Sequence, residues 1–98
     1  MKVELVNYTG SDLMVVNAAR VSLGKEKTVI DESDIKLIKY LLKNNHVSTL
    51  EHCFFTFRLE IPIYIARQLM RHRSWSFNEI SGRYVEFDDN FFVPENFR

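Results

Sequence analysis

Pro62 lies at the junction of two sequence patterns, and it constrains the fold more than any other single residue. From Phe55 to Ile61, apolar side chains alternate with polar ones, as in a strand that has one covered face. Proline cannot donate a hydrogen bond inside a central strand, but it suits the first turn of a helix. The sequence therefore predicts a strand that ends at Pro62 and a helix from Ile63 to about His72.

The spacing within this predicted helix separates an apolar face from a polar one. The apolar face, which we expect to be buried, contains Ile63, Ala66 and Met70. Polar residues at relative spacings of three and four share another face of a helix. These are Gln68, Arg71 and His72.

Three further elements are predicted before this junction, and one after it. Lys2 to Thr9 has the loose alternation of a strand, and helical spacing follows the cap residues Ser11 and Asp12 until Gly24. A second helix follows the acidic segment 31–34, with an apolar stripe on one side. The stripe consists of Ile35, Ile38, Leu41 and Leu42. Tyr84 to Phe87 is expected to return as a strand, so the predicted class is α/β (more narrowly α+β), ordered strand-helix-helix-strand-helix-strand.

The size and composition of the chain indicate one folded domain, residues 1–98, with a small core. A chain of 98 residues buries only about two thirds of the surface that its unfolded form exposes. Hydrophobic residues make up 46% and charged residues 27%, which is too apolar for intrinsic disorder. Large apolar residues crowd the tail, so we expect it to dock on its own domain or to be covered by another segment or subunit. They are Phe91, Phe92, Val93 and Phe97.

The charge and cysteine content exclude several classes of function. Thirteen basic residues balance thirteen acidic ones, so the total charge gives no reason to expect DNA, RNA or an anionic membrane as partner. Cys53 is the single cysteine, which rules out an internal disulfide and suits a reducing compartment. No signal-like start or membrane-spanning apolar run is present. We therefore expect a cytoplasmic protein.

The segment Arg71-His72-Arg73 has two readings. A cationic helix end is the simpler one, because positive charge there complements the helix dipole. Directional donors and acceptors follow within ten residues, and they suit a ligand with both a phosphate and a hydrogen-bonding ring, because arginine grips phosphate with two bonds. These residues are Asn78, Glu79, Ser81, Gly82 and Arg83.

The segment RHRSWSFNEISGRY, Arg71 to Tyr84, resembles the signature of the flavin-dependent thymidylate synthases. Further pieces resemble family motifs in the expected order: AARVS at 18–22, HVSTLEH at 46–52, FTF at 55–57, and the helix with Pro62 and Arg67-Gln68. Thr49 departs from the proline that relatives commonly have after the position of Ser48. The resemblance implies that the chain forms the amino-terminal half of such a domain.

The resemblance also implies two sets of site residues. Those that hold deoxyuridine monophosphate (dUMP) are Gln68, Arg71, Glu79, Ser81, Gly82 and Arg83. Those that border the flavin adenine dinucleotide (FAD) are Ser22, His46, Ser48, Arg71, His72, Arg73, Asn78 and Glu79. No catalytic residue is assigned.

The implied reaction is the reductive methylation of dUMP to dTMP. In this family, methylenetetrahydrofolate supplies the carbon, reduced flavin delivers a hydride, and NADPH re-reduces the flavin. The protein then contributes positioning and electrostatics. The family assembles as a homotetramer, so we expect a homo-oligomer or a companion chain that supplies the missing half.

Other chemistries are disfavoured by the sequence. Cys53 opens an apolar stretch without an adjacent base, so we interpret it as a structural residue and not as a nucleophile. Ser81 likewise has no positioned base by spacing. His46, His52 and Cys53 match no zinc pattern, and no metal site is expected. Ser48 and Glu51 also fit a capping box.

Two alternatives to an active enzyme remain open. Members of the family are considerably longer, so the chain is alternatively a non-catalytic fragment or one piece of a split enzyme that keeps the fold and the assembly surface. The other alternative is a nucleic-acid-binding module that uses Arg67 to Arg83 as a basic strip. Glu79 within the strip and the acids just after it argue against that reading.

Overall fold

The computed structural model describes residues 1–96, and Phe97 and Arg98 lie outside the described residues. The two strands are β1 (Lys2–Thr9) and β2 (Phe54–Glu60), and the three α-helices are α1 (Asp12–Arg20), α2 (Glu32–Lys43) and α3 (Ile63–Leu69). Short 3-10 turns span Val21–Leu23 and Leu50–His52. The predicted mixed fold and the order strand, helix, helix, strand, helix are confirmed.

The two strands pair in one antiparallel sheet. Glu4, near the start of β1, lies 3.3 Å from the guanidinium of Arg58, near the end of β2. Tyr8, at the other end of β1, stacks on Phe55 with ring centroids 6.5 Å apart. Every residue of both strands is exposed, so neither face of the sheet is covered by residues 1–96.

Side-chain caps fix the start of the first two helices. The Ser11 hydroxyl accepts a hydrogen bond from the Met14 amide at 3.2 Å, which begins α1. At α2, Asp31 and Asp34 form a reciprocal capping box, and the helix begins at the acidic segment where the sequence predicted it. Gly24 ends the first helical region with a left-handed φ of 61°, a conformation that glycine adopts without steric cost.

The apolar core lies between α1 and α2 and is small. Among residues 1–96, the buried apolar side chains are Val15, Val16 and Leu41. The predicted stripe of α2 is only partly covered, because Ile35 is 47% exposed and Leu42 is 52% exposed. The remaining apolar surface of α2 is therefore available to another part of a longer chain or to a partner.

A buried ionic cluster accompanies this core. The carboxylate of Asp34 is fully buried, accepts a hydrogen bond from Arg20 Nη2 at 2.7 Å, and contacts Lys27 Nζ at 2.5 Å. Lys27 also contacts Asp31 at 2.5 Å, and the Asp31 amide donates to Asp34 at 3.0 Å. The cluster joins α1, the loop that follows it and the start of α2.

The hydrogen bonds of the cluster shift the ionisation of its members. The bond from Lys27, followed by those from the Asp31 backbone and Arg20, lowers the pKa of Asp34 below its ordinary 3.8. Hydrogen bonds from the side chains of Lys27 and Ser33 likewise lower the pKa of Asp31. Hydrogen bonds to Asp31 and Asp34 raise the pKa of Lys27 above 10.5. Each charged form is thus favoured by folding.

Helix α3 is shorter than its sequence pattern indicates. It begins after Pro62, as predicted, but ends at Leu69, and only single-turn bonds from the Arg71 and His72 amides continue it. The expectation that Gln68, Arg71 and His72 share one helical face is therefore wrong. A cationic side chain is tolerated equally in a helix and in a turn, so spacing alone did not locate the end.

Two other expectations for this part of the chain are corrected. Ile63 is 71% exposed and Met70 is 37% exposed, so the apolar face of α3 is not buried. No strand forms from Tyr84 to Phe87, because the Tyr84 and Val85 amides both donate to the Ser81 carbonyl in a turn. Alternating side chains make a strand only where a neighbouring strand accepts the hydrogen bonds. The apolar tail is exposed at Phe91, Phe92 and Val93, while Phe97 lies outside the described residues.

The contacts within the chain define two units, Val3–Arg58 and the remainder, which comprises Met1–Lys2 and the chain from Leu59 onward. The first contains the sheet pairing, α1 and α2, and the second contains α3 and the loop after it. None of the helices in residues 1–96 has the length and apolar character that a membrane crossing requires.

Replacing Asp34 by asparagine is expected to destabilise the protein. Asp34→Asn removes the charge that holds Arg20 and Lys27 together and leaves those cations without their buried partner. We expect the thermal unfolding midpoint at neutral pH to fall by roughly 5 °C or more. The control Glu26→Gln changes an exposed carboxylate in the same way and should leave the midpoint unchanged. Equal midpoints for both variants would show that the cluster does not stabilise the fold.

The same cluster predicts how stability depends on pH. The folded-state pKa values of Asp31 and Asp34 lie below 3.8. The contribution of these carboxylates to the free energy of unfolding is therefore complete above about pH 4 and is lost as the pH falls through the folded-state pKa values. The contribution of Lys27 to the free energy of unfolding is complete below pH 10.5. It is lost as the pH rises through the higher folded-state pKa of this side chain. Thermal melts across this range should show a plateau with an acidic decline that is shallower in Asp34→Asn. An identical acidic decline in the variant would contradict this assignment.

Candidate functional site

A cavity of about 300 Å³ lies between α3 and the loop that follows it, and it is partly open to solvent. Helix α3 contributes one wall, and the segment 79–82 with Phe87 contributes the other. The lining residues are Ile63, Ala66, Arg67, Met70, Glu79, Ile80, Ser81, Gly82 and Phe87. All of these lining residues belong to one unit of the chain.

Three of the residues predicted to hold dUMP are brought together in this cavity: Glu79, Ser81 and Gly82. Ser81 is half-buried, and its carbonyl accepts the Tyr84 amide at 3.0 Å, which folds the segment into a turn. The Ser81 hydroxyl oxygen accepts the Arg83 amide at 3.3 Å. The hydroxyl proton therefore remains available to donate to a ligand.

Gly82 allows the ring of Phe87 to approach the backbone closely. A Cβ atom added at Gly82 would lie 2.8 Å from Phe87 Cε2, which is closer than van der Waals contact permits. Any larger residue at position 82 would displace this ring, and the ring forms part of the cavity wall. The glycine thus serves the shape of the cavity as well as the turn.

The other predicted dUMP residues lie outside the wall. Gln68 and Arg83 are exposed immediately beside lining residues in the chain, and Arg71 is exposed in the turn after α3. The guanidinium of Arg83 lies over the ring of Tyr84, 5.9 Å from its centroid. Sequence reasoning did not assign Arg67 to the site, although this residue lies in the wall. Position 67 belongs to a motif that the resemblance includes, but only the tertiary fold shows that it meets the segment 79–82.

The chain segment that carries the predicted flavin residues after α3 also contains a row of aromatic rings. Trp75 lies between His72 and Phe77, with ring centroids 5.9 Å and 6.0 Å apart. His72 and Trp75 are exposed, and so are the predicted residues Arg73 and Asn78. Exposed cationic and amide side chains therefore adjoin exposed aromatic residues along the chain.

The three predicted flavin residues of the first unit are all exposed: Ser22, His46 and Ser48. Ser22 lies in the 3-10 turn after α1, and His46 follows α2, where its ring meets Tyr40 edge-on at 6.1 Å. Thr49, not Ser48, is the cap of the turn Leu50–His52, and it makes no side-chain capping bond. The predicted capping box of Ser48 and Glu51 is therefore wrong, and the Ser48 hydroxyl is free of that role.

Thr49 carries a buried hydroxyl without a partner. Its Oγ1 atom has no hydrogen bond within residues 1–96. A buried hydroxyl without a partner costs stability, because it loses its hydrogen bond to water. Proline has no hydroxyl, so threonine at position 49 has a local cost in stability that the family's proline would not have. The Ser48 hydroxyl remains exposed.

Cys53 packs against the backbone at the start of α1. It is half-buried, its Sγ lies 3.9 Å from the Ser11 carbonyl, and a Cβ added at Gly10 would lie 2.6 Å from that sulfur. These contacts agree with a structural role for the thiol. Across residues 1–96 the structure assembles no group of three potential metal ligands.

A second, wider cavity of about 700 Å³ lies beside α1 in the first unit. Its lining is mainly apolar, with Met14 and Val21 among its members. The side chain of Asn17, which also lines it, is already bonded to the Lys27 backbone through both its oxygen and its nitrogen, each at 2.9 Å. One polar side chain of this cavity is thus already engaged with the protein backbone.

Comparison with known proteins places these observations in a family. The family model described as "Thymidylate synthase complementing protein" matches residues 4–98. The chain is 46% identical over 96 residues to the flavin-dependent thymidylate synthase of Pseudothermotoga lettingae, covering 98% of this chain and 43% of that protein. It is 49% identical over 96 residues to the enzyme of the same name from Kosmotoga olearia, covering 98% of this chain and 41% of that one.

Solved structures agree with the sequence comparisons. The UMP/dUMP methylase PolB from Streptomyces cacaoi, bound with 5-Br dUMP, is 49% identical with a TM-score of 0.85. The match covers 96% of this chain and 41% of that chain. The same enzyme bound with 5-Br UMP gives 47% identity and a TM-score of 0.79, covering 96% of this chain and 39% of that chain.

The chain thus spans 41–43% of the length of the curated relatives named above. Within that span the match is nearly continuous and includes the cavity, the turn at Ser81 and the segment Arg71 to Tyr84. The sequence resemblance and the fold therefore lead to the same family. This chain belongs to the thymidylate synthase complementing protein family, the family of the flavin-dependent thymidylate synthases.

Proposed function

We propose that this chain is the nucleotide- and flavin-binding part of a flavin-dependent thymidylate synthase that converts dUMP to dTMP. The observation that carries the proposal is the cavity in which Glu79, Ser81 and Gly82 converge beneath α3. A cavity that combines apolar walls with a few directional polar groups is the common form of a small-molecule site. The structure of a relative bound with 5-Br dUMP supports the same class of ligand.

The polar groups of the cavity suit a pyrimidine nucleotide. The Glu79 carboxylate accepts hydrogen bonds from N–H groups, whereas the Ser81 hydroxyl donates to oxygen. Arg71, Arg83 and Gln68, at the edges of the site, add two cations and an amide for the nucleotide. The proposed dUMP set is therefore the one that the sequence predicted, now anchored on the segment 79–82.

The residues after α3 fit a flavin. A bound reduced flavin supplies the hydride for the methylation. The exposed rings of His72 and Trp75 offer apolar surface of the kind on which an aromatic ring system stacks, and Arg71, Arg73 and Asn78 offer donors to its anionic and carbonyl groups. Ser22, His46 and Ser48 are further exposed polar groups for the same cofactor. Methylenetetrahydrofolate and NADPH are the proposed co-substrates.

The rest of the site is proposed to come from outside this chain. Both faces of the sheet are left uncovered by residues 1–96, and the tail exposes Phe91 and Phe92. A companion segment or further copies in a homotetramer would cover such surfaces. We further propose that residues 1–98 act as one domain and that the protein works in the cytoplasm.

The second candidate is a non-catalytic fragment that keeps the fold. It is favoured by the share of the relatives that the chain spans, 41–43% in the two named above. Such a fragment would retain the sheet and the helices but would not hold the flavin. Ligand binding therefore discriminates between the two candidates more directly than turnover does.

Removing the Ser81 hydroxyl is expected to weaken dUMP binding. Ser81→Ala deletes one neutral hydrogen-bond donor from the cavity, so we expect the dissociation constant to rise about 3- to 10-fold in isothermal titration calorimetry. Ser33→Ala removes a hydroxyl on α2, outside the cavity wall, and should bind as the wild type does. Unchanged affinity in Ser81→Ala would remove this residue from the site.

Replacement of His72 and Arg73 is expected to weaken flavin binding. After incubation with FAD and gel filtration, the wild-type protein should keep the visible absorbance of bound flavin, while the double variant His72→Ala/Arg73→Ala should lose most of it, since a stacking ring and a charge are both removed. Lys36→Ala/Lys39→Ala changes exposed side chains of α2 and serves as the control. A colourless wild-type protein would favour the non-catalytic fragment.

A further inference from the structure

Arg67 is the arginine that the fold places in the cavity wall. It lies in the last turn of α3, and its neighbours around the cavity include Glu79, Ser81 and Gly82. Arg71 and Arg83, the arginines that the sequence assigned to dUMP, are not among the lining residues. All three arginines are exposed, but Arg67 is the one that lines the cavity, and the sequence motifs did not assign it to the nucleotide.

The charge of Arg67 is not neutralised by the protein residues described. Within residues 1–96, no carboxylate oxygen lies within 4.0 Å of its guanidinium nitrogens, although Glu79 lines the same cavity. By contrast, Arg20 is engaged with Asp34 and Arg58 with Glu4. An unpaired guanidinium in a cavity keeps all its donors available for a ligand anion.

The cavity wall contains two further hydrogen-bond donors that are available to a ligand. The Ser81 hydroxyl proton is available, because its oxygen already accepts the Arg83 amide at 3.3 Å. The Gly82 amide takes part in no hydrogen bond among residues 1–96. Since Gly82 has no side chain, a ligand oxygen can approach this amide without steric hindrance from position 82.

We propose that Arg67 binds the phosphate of the nucleotide, together with the Ser81 hydroxyl and the Gly82 amide. A phosphate monoester has the charge and the oxygen acceptors that a guanidinium binds with two bonds. The Glu79 carboxylate repels phosphate and attracts N–H groups, so the base of the nucleotide lies toward Glu79. This inference rests on the proposed function, because it assigns the orientation of the same pyrimidine nucleotide in the same cavity.

The test compares dUMP with deoxyuridine, which lacks only the phosphate. In the wild-type protein, dUMP should bind more tightly than deoxyuridine. Arg67→Ala should weaken dUMP binding by roughly 10- to 100-fold and change deoxyuridine binding by less than about 2-fold, because a charge-assisted bidentate contact is lost only for the phosphate. Arg67→Lys should recover part of the preference for dUMP, since it keeps the charge but not the planar fork.

Controls separate this role from a structural one. Arg58→Gln removes an exposed arginine of β2 that is outside the cavity wall, and it should bind both ligands as the wild type does. Far-UV circular dichroism and the thermal midpoint establish that each variant is folded, and Arg67→Lys provides a second, conservative variant should Arg67→Ala unfold. Inorganic phosphate should compete with dUMP in the wild-type protein and less so in Arg67→Lys.

The outcomes distinguish failure of this inference from failure of the proposed function. If the wild-type protein binds neither dUMP nor deoxyuridine, both are overturned. If it prefers dUMP and Arg67→Ala or Arg67→Lys keeps the full preference, the proposed function stands and the assignment of Arg67 is overturned. Loss of the preference in Arg71→Ala or Arg83→Ala, but not in Arg67→Ala, would place the phosphate where the sequence motif put it.

Discussion

The buried carboxylate of Asp34 organises the first unit of this chain. Groups from α1, from the loop after it and from the start of α2 converge on one side chain that has no contact with solvent. Only three apolar side chains are buried beside it among residues 1–96, so the ionic cluster carries much of the specificity of this packing. Arg20, although it belongs to a family motif, is engaged in this structural role.

The second unit depends on where α3 ends. Pro62 begins the helix and Leu69 ends it, so Arg67 falls in its last turn and Arg71 falls beyond it. The chain then folds at Ser81, whose carbonyl accepts two amides, and places Glu79, Ser81 and Gly82 across the cavity from the helix. A helix one turn longer would carry Arg71 on a helical face, as the sequence pattern suggested. In the observed fold Arg67 lines the cavity from the helix, whereas Arg71 lies in the turn beyond it and is not a lining residue.

The sequence predicted the fold where local rules decide it. The alternation in β2, the proline that follows it and the acidic segment before α2 each specify a local conformation, and all three are confirmed. The strand expected at Tyr84 to Phe87 failed because pairing depends on a distant partner. Motif reading named Ser81 and Gly82, but not Arg67 or Phe87, because the cavity wall depends on how the loop folds against α3.

Binding of a pyrimidine nucleotide in the cavity between α3 and the segment 79–82 underlies the proposed function. Its most direct test is a two-dimensional ¹H–¹⁵N NMR titration of the chain with dUMP, with the backbone amides and arginine Nε–H groups assigned. If the nucleotide binds there, the largest shift changes occur at the Ser81 and Gly82 amides and at Arg67 Nε–H. Changes confined to β1, β2 or α2, with the segment 79–82 unaffected, would contradict it.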